Sequence, residues 1–296
     1  MKQFFFIIIG LAALLAAIFA FKPTKDKTDS AKPIAVVSFT ILEDFVKNIC
    51  GNKFQVVTIV GRNADGHVFR PKPSTSETIT KANIVFINGM GFEGWITRLI
   101  AATSYKGPVI VASKGVIPPE AHEDPHAWND ISSVKIYIEN ITNAFIQNDP
   151  SNKEFYTHNK INYIAKLDAL DKKIKTELQN LPTEKRRFVT AHDAFKYFAR
   201  AYKVKVLSPV GVSTEQEASA KDVGHLIDYI KKEGIKTIFV ENITNEKLIR
   251  QIATETGAKL GGVLYSDALS ELNEPAPTYL ELMQHNFNLL YAAMKE

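Results

Sequence analysis

The chain has 296 residues, 45% of them apolar and 23% charged, enough for one large or two medium domains with ordinary buried cores. The formal charge is +4, with Lys and Arg spread among Asp and Glu, which excludes a nucleic-acid-binding stripe. Cys50 is the only cysteine, so an intramolecular disulfide is excluded, and its spacing from Phe45 and Ile49 reads as a small buried hydrophobe.

Residues 1–20 read as a secretory signal: Lys2, an uncharged run from Phe4 to Phe21, and small residues Ala16, Ala17 and Ala20 near its end. The run is also long enough for an uncleaved anchor. No cysteine follows it, so a lipoprotein anchor is not expected. Residues 21–32 read as a disordered polar leader. Either way the remainder is expected to be exported, to the periplasm.

Alternating elements follow. Strands are expected at Ile34–Phe39, Phe54–Val60, Asn83–Ile87 and Pro108–Ala112. Thr40–Cys50 reads as a helix stopped by Gly51. Ser74 and Glu77 have capping-box spacing and open a short helix. A helix carrying Trp95 and Leu99 follows Gly89-Met90-Gly91, and Ile131–Gln147 is another. Asn152–Leu181 is then predicted as one long helix. It is opened by a capping box of Ser151 and Glu154, with an apolar face of Phe155, Ile161, Ile164, Leu167, Ile174, Leu178 and Leu181. Thirty residues of helix span about 45 Å, enough to join two lobes. Beyond Pro182, strands at Phe188–Thr190, Val204–Leu207, Thr237–Val240 and Leu260–Leu264 alternate with helices at Phe195–Tyr202, Ala220–Glu233, Glu246–Thr256 and Tyr279–Met294. The fold class expected is α/β, with two lobes (33–150 and 183–296), each a mostly parallel sheet flanked by helices, joined by one long rigid helix over 151–182.

Open α/β sheets bind ligands beyond the carboxyl ends of their strands. Four metal-capable residues fall in such loops: His67, His126, His192 and Asp267, two from each lobe. Three imidazoles and a carboxylate suit a borderline divalent cation. A lone histidine is more often structural or solvated; the shared strand-end placement is what singles these out. His122 lies in a loop beside Glu123 and Asp124, where a solvated role is the simpler reading. His158, His225 and His285 fall within helices and read as structural. There is no HExxH, no Gly-rich phosphate loop and no nucleophile elbow. Gly261-Gly262 inside a strand suggests close backbone packing.

These segments resemble the solute-binding proteins of zinc and manganese ABC importers, from about Pro33 to the C-terminus. Asp65-Gly66-His67 with Pro73-Ser74, Asp124-Pro125-His126-Ala127-Trp128, Ala191-His192-Asp193-Ala194-Phe195 and Gly262-Val263-Leu264-Tyr265-Ser266-Asp267 resemble the four ligand loops. The family usually has proline where Gly66 stands, a departure expected to loosen that loop. The resemblance implies a Zn2+ or Mn2+ ligand set of His67, His126, His192 and Asp267. It also implies delivery to an inner-membrane ABC permease with a cytoplasmic ATPase, by a monomer without enzymatic activity. Three nitrogens favour zinc over manganese on ligand softness. The loop 116–124 is short and holds only His122, unlike the His-rich loop of many zinc-binding members. Glu43, Glu241 and the ligand-loop backbone are candidates to orient the imidazoles, and binding is expected to weaken as pH falls through about 6–7. The rival readings are a zinc-dependent hydrolase, using Glu123 or Asp193 as base, and a metal-stabilised surface adhesin.

Overall fold

In a computed structural model, residues 32–120 and 123–296 are described. The expected signal segment, nearly all of the leader, and His122 lie outside the described residues. The first half of the chain builds a four-stranded parallel sheet in the order β2-β1-β3-β4, from β1 (Ile34–Val37), β2 (Gln55–Thr58), β3 (Ile84–Ile87) and β4 (Val109–Val111). The central strands β1 and β3 are short apolar runs with almost every side chain buried, as expected of a parallel sheet covered on both faces. Helix α1 (Thr40–Cys50) packs its buried face on this sheet and ends at Gly51, whose φ of 52° a side chain would disfavour. Next come α2 (Pro73–Thr80), α3 (Ile96–Ala101) and α4 (Ile131–Asn148).

The long helix α5 runs over Lys153–Gln179 and packs against α1, α4 and the final helix, α9 (Tyr279–Met294). Its buried side chains are Tyr156, Tyr163, Leu167, Ile174 and Leu178, alternately seven and four apart. Ile161, expected on that face, is 60% exposed. The two tyrosines bury their rings because each hydroxyl finds a carboxylate: Tyr156 donates to Asp149 and Tyr163 to Asp44, at 2.7 and 2.9 Å. The expected capping box does not form. A 3-10 turn (Pro150–Asn152) precedes the helix, and Ser151 Oγ donates to Asp149 instead. Nor does Ser74 cap α2; Lys72 is the N-cap and its N–H donates to Thr75 Oγ1.

The second half holds two parallel pairs rather than one continuous ladder: β5 (Arg187–Val189) with β6 (Lys205–Leu207), and β7 (Thr237–Glu241) with β8 (Lys259–Leu264). β5 runs beside β7. Beyond the end of β5 the amides of Ala191 and His192 are satisfied by the Glu241 side chain, not by a strand. Helices α6 (Lys196–Tyr202), α7 (Ala220–Glu233) and α8 (Lys247–Thr256) complete this half. The β7–β8 register shifts between Ile238 and Val240, beside Gly261 and Gly262. A Cβ on Gly261 would lie 2.4 Å from the Phe239 ring, so the close approach inferred for this glycine pair is present. Residues 33–296 pack as one compact unit, and the two halves meet where the strands end.

Candidate metal centre

His67 follows β2, His126 follows β4, His192 follows β5 and Asp267 follows β8. These four converge. One donor atom from each lies within 4.8 Å of all the others. His126 Nε2 is 3.2 Å from His67 Nε2 and 3.4 Å from His192 Nε2. Asp267 Oδ2 is 3.4 Å from both His67 Nε2 and His192 Nε2, and Asp267 Oδ1 is 3.6 Å from His126 Nε2. A tetrahedron with bonds of about 2.0–2.1 Å has edges of about 3.3–3.4 Å, so the spacing is that of donors around one small cation. His126 and His192 are fully buried, Asp267 is 1% exposed and His67 is 7% exposed, so His67 is the one that reaches toward solvent.

Each loop is held by local chemistry. Asp65 Oδ1 accepts the His67 N–H at 2.8 Å, and Asp124 Oδ1 accepts the His126 N–H at 3.0 Å: the same Asp-x-His turn, used twice. Trp95 Nε1 donates to the Gly66 carbonyl, and the Phe92 ring packs on His67. A Cβ on Gly66 would lie 2.6 Å from Phe92, so this glycine lets the ring close over the loop. On the opposite side, Trp128 Nε1 donates to the Ser266 carbonyl at 2.7 Å and Tyr197 Oη to the Asp124 carbonyl at 2.9 Å, tying the His126 loop to the second half.

Two carboxylates fix the direction of two imidazoles. His126 Nδ1 donates to Asp124 at 2.8 Å and His192 Nδ1 donates to Glu241 at 2.5 Å. With Nδ1 committed, Nε2 of each ring is the atom that faces inward, and it can ligate once the ring is neutral. Glu241 fills the role expected of it, and Asp124, marked only by the repeated Asp-x-His spacing, fills the same role for His126. Glu43 does not take part. It pairs with Lys47 one turn along α1.

The electrostatics are those of a cation site. Burial alone would push the His126 imidazole down, but Asp267 and Asp124 outweigh it and raise its pKa to about 9. Burial likewise opposes, and Glu241 and Asp267 reverse, the shift at His192, which lies well above the usual imidazole range. For Asp267, burial would raise the pKa, yet His126 and His192 hold it well below the ordinary carboxylate range. Both Asp267 oxygens are buried and receive no hydrogen bond.

The other candidates lie elsewhere. His158 accepts from Asn162 on α5, His225 is exposed on α7, and His285 donates to the Val263 carbonyl. Glu123 is exposed and Asp193 pairs with Lys196 at 2.8 Å, so neither is placed as a general base.

A family profile described as the periplasmic zinc-uptake complex component A matches residues 35–293. The iron-binding protein YfeA of Yersinia pestis is 34% identical over 94% of this chain and 91% of its own length. The manganese ABC transporter substrate-binding lipoprotein PsaA of Streptococcus anginosus is 29% identical, covering 97% of each. Among solved structures, the periplasmic zinc-binding protein TroA of Treponema pallidum superposes with a TM-score of 0.85 at 28% identity, over 89% of this chain and 99% of TroA. The Mn-bound periplasmic metal-binding protein of Candidatus Liberibacter asiaticus does so at 0.81 and 30%, over 89% of this chain and all of its own. The chain therefore belongs to the periplasmic zinc-uptake component A family, whose members are metal-binding substrate proteins of ABC importers and not enzymes.

Proposed function

We propose that this protein is an exported, periplasmic receptor that captures one divalent first-row transition metal on His67, His126, His192 and Asp267. It then hands the ion to an ABC permease in the inner membrane, driven by a cytoplasmic ATPase. The metal is cargo here, not a resident cofactor. The observation that carries the reading is a donor imbalance. Imidazole nitrogens and both oxygens of one carboxylate face each other at 3.2–3.6 Å, and no group other than these imidazoles approaches the Asp267 oxygens, which have no hydrogen-bond partner. Such a cluster is stable only with positive charge between its members, supplied by protons or by a cation. Because both Asp267 oxygens lack a donor, the carboxylate is suited to grip the ion through both. Three nitrogens and the carboxylate then supply all four ligands, with no position left for a reactive water.

Ligand chemistry supports zinc as the tightest-held ion. Any fixed nitrogen–oxygen set follows the order of divalent affinities in which Mn2+ and Fe2+ sit below Zn2+. The relatives' names include manganese, iron and zinc, so the ion carried in the cell follows supply as well as affinity. Among the described residues no helix is long and apolar enough to cross a membrane. We take residues 1–20 to be the export signal and the protein to act as a monomer. The test is a chelator-competition titration of untagged protein with Zn2+ and Mn2+. One ion per chain, zinc tighter, and loss of tight binding in both His192→Ala and Asp267→Ala support the proposal. Undiminished binding in either variant would overturn the ligand assignment.

A further inference from the structure

The cluster communicates with solvent through a cavity of about 580 Å3 at His67. It is lined by Arg70, Arg98, Phe92 and Trp95 from the first half of the chain and by Ser213 and Glu215 from the second. Both arginines are exposed, and neither guanidinium has an ion-pair or hydrogen-bond partner among the described residues, although Glu215 lines the same cavity and Glu123 lies beside Gly91. Two unpaired arginines are a poor lining for the mouth of a cation site. At close range they repel a bare hydrated dication and slow its approach. What they favour is an anion, and their planar forks match carboxylates in particular.

We propose that this mouth cavity is an anion site that takes a small polycarboxylate, so that the ion can be received as its carboxylate complex. The anion rests on Arg70 and Arg98. As a metal–oxygen bond of the complex breaks, a bond to His67 Nε2 forms, and the ion passes inward to His126, His192 and Asp267 while the carboxylate stays on the guanidiniums. The volume accommodates a tricarboxylate with its hydration water, and the rim is open at Gly94, where a Cβ would meet nothing within 4 Å. The purpose of the site rests on the metal-capture reading; anion binding itself does not.

The experiment is calorimetric titration of zinc-loaded protein with tricarballylate, a tricarboxylate that lacks the hydroxyl through which citrate chelates metals. Inorganic phosphate is titrated in parallel. Expected is saturable binding of tricarballylate that weakens at least ten-fold in the R70Q/R98Q double variant. Zn2+ affinity in non-coordinating buffer and melting temperature should stay unchanged in that variant. In stopped flow, zinc uptake from zinc–citrate should slow in the double variant while uptake of free Zn2+ does not. No tricarballylate binding, binding equal in the double variant, or binding of phosphate alone would overturn the carboxylate site. None of those results touches Zn2+ binding in chelator-free buffer, which tests the metal-capture reading separately.

Discussion

Glu241→Gln separates orientation of a ligand from possession of it. The native carboxylate accepts three hydrogen bonds: Oε1 takes the amides of Ala191 and His192 at 2.8 and 2.9 Å, and Oε2 takes His192 Nδ1–H at 2.5 Å. A glutamine has one acceptor oxygen and one donor nitrogen in the same space. If its oxygen keeps the two amides, its NH2 faces Nδ1, and the ring moves its proton to Nε2, the atom aimed at the other ligands. If its oxygen faces Nδ1, the NH2 confronts two backbone donors in a fully buried pocket. Either arrangement costs metal affinity while leaving all four ligating side chains in place. Losing such an outer partner typically weakens binding 10–100-fold, about 1.4–2.7 kcal/mol. Chelator competition at pH 7.5 reads this directly, with the melting temperature measured alongside to separate a folding defect. Binding within two-fold of the parent would refute the orienting role of Glu241.

Asp124→Asn should behave alike for His126, with a loss of the same order by the same assay, because it removes the acceptor of the Nδ1–H at 2.8 Å. Metal binding should release at least one proton at pH 7.5, since His126 titrates near 9, His192 is held well above the usual imidazole range by Glu241 and Asp267, and each ring must be neutral to ligate. Calorimetry in buffers of different ionisation enthalpy counts them, and no release would contradict the raised values. Affinity should accordingly keep rising to about pH 9, not level off above the ordinary imidazole range near 6–7. In excess chelator, the raised pKa of His126 contributes stability that is complete below about pH 6.5 and lost as pH climbs through about 9. The chelated protein should therefore melt lower at pH 9.5 than at 6.5. Gly66→Ala drives a methyl to 2.6 Å from the Phe92 ring and should cost about 1–3 kcal/mol of stability by overpacking, read as a lowered denaturation midpoint.

Much of the architecture was legible because it rests on local signals. Gly51, Gly234 and Gly257 end α1, α7 and α8 where a positive φ is needed, and the apolar runs of β1 and β3 admit little but buried parallel strands. The four site residues were legible as strand-end loops, a rule of topology that needs no contact information. What escaped depends on tertiary partners. Tyr156 and Tyr163 replace Ile161 on the buried face of α5 because Asp149 and Asp44, distant or unremarkable in sequence, satisfy their hydroxyls. The Ser151 hydroxyl had a nearer acceptor in Asp149 than the helix it was expected to cap. Glu43 and Glu241 are equal as letters; only β7 running beside β5 brings the second to His192. The role of Gly66 needs Phe92, which arrives from after β3.

The most direct test is anomalous diffraction at the zinc absorption edge from crystals of the zinc-loaded protein. A single strong peak per chain is expected, about 2.0–2.2 Å from Nε2 of His67, His126 and His192 and from the Asp267 carboxylate. A peak at a surface histidine, or one that leaves any of those four outside bonding distance, would contradict the ligand assignment.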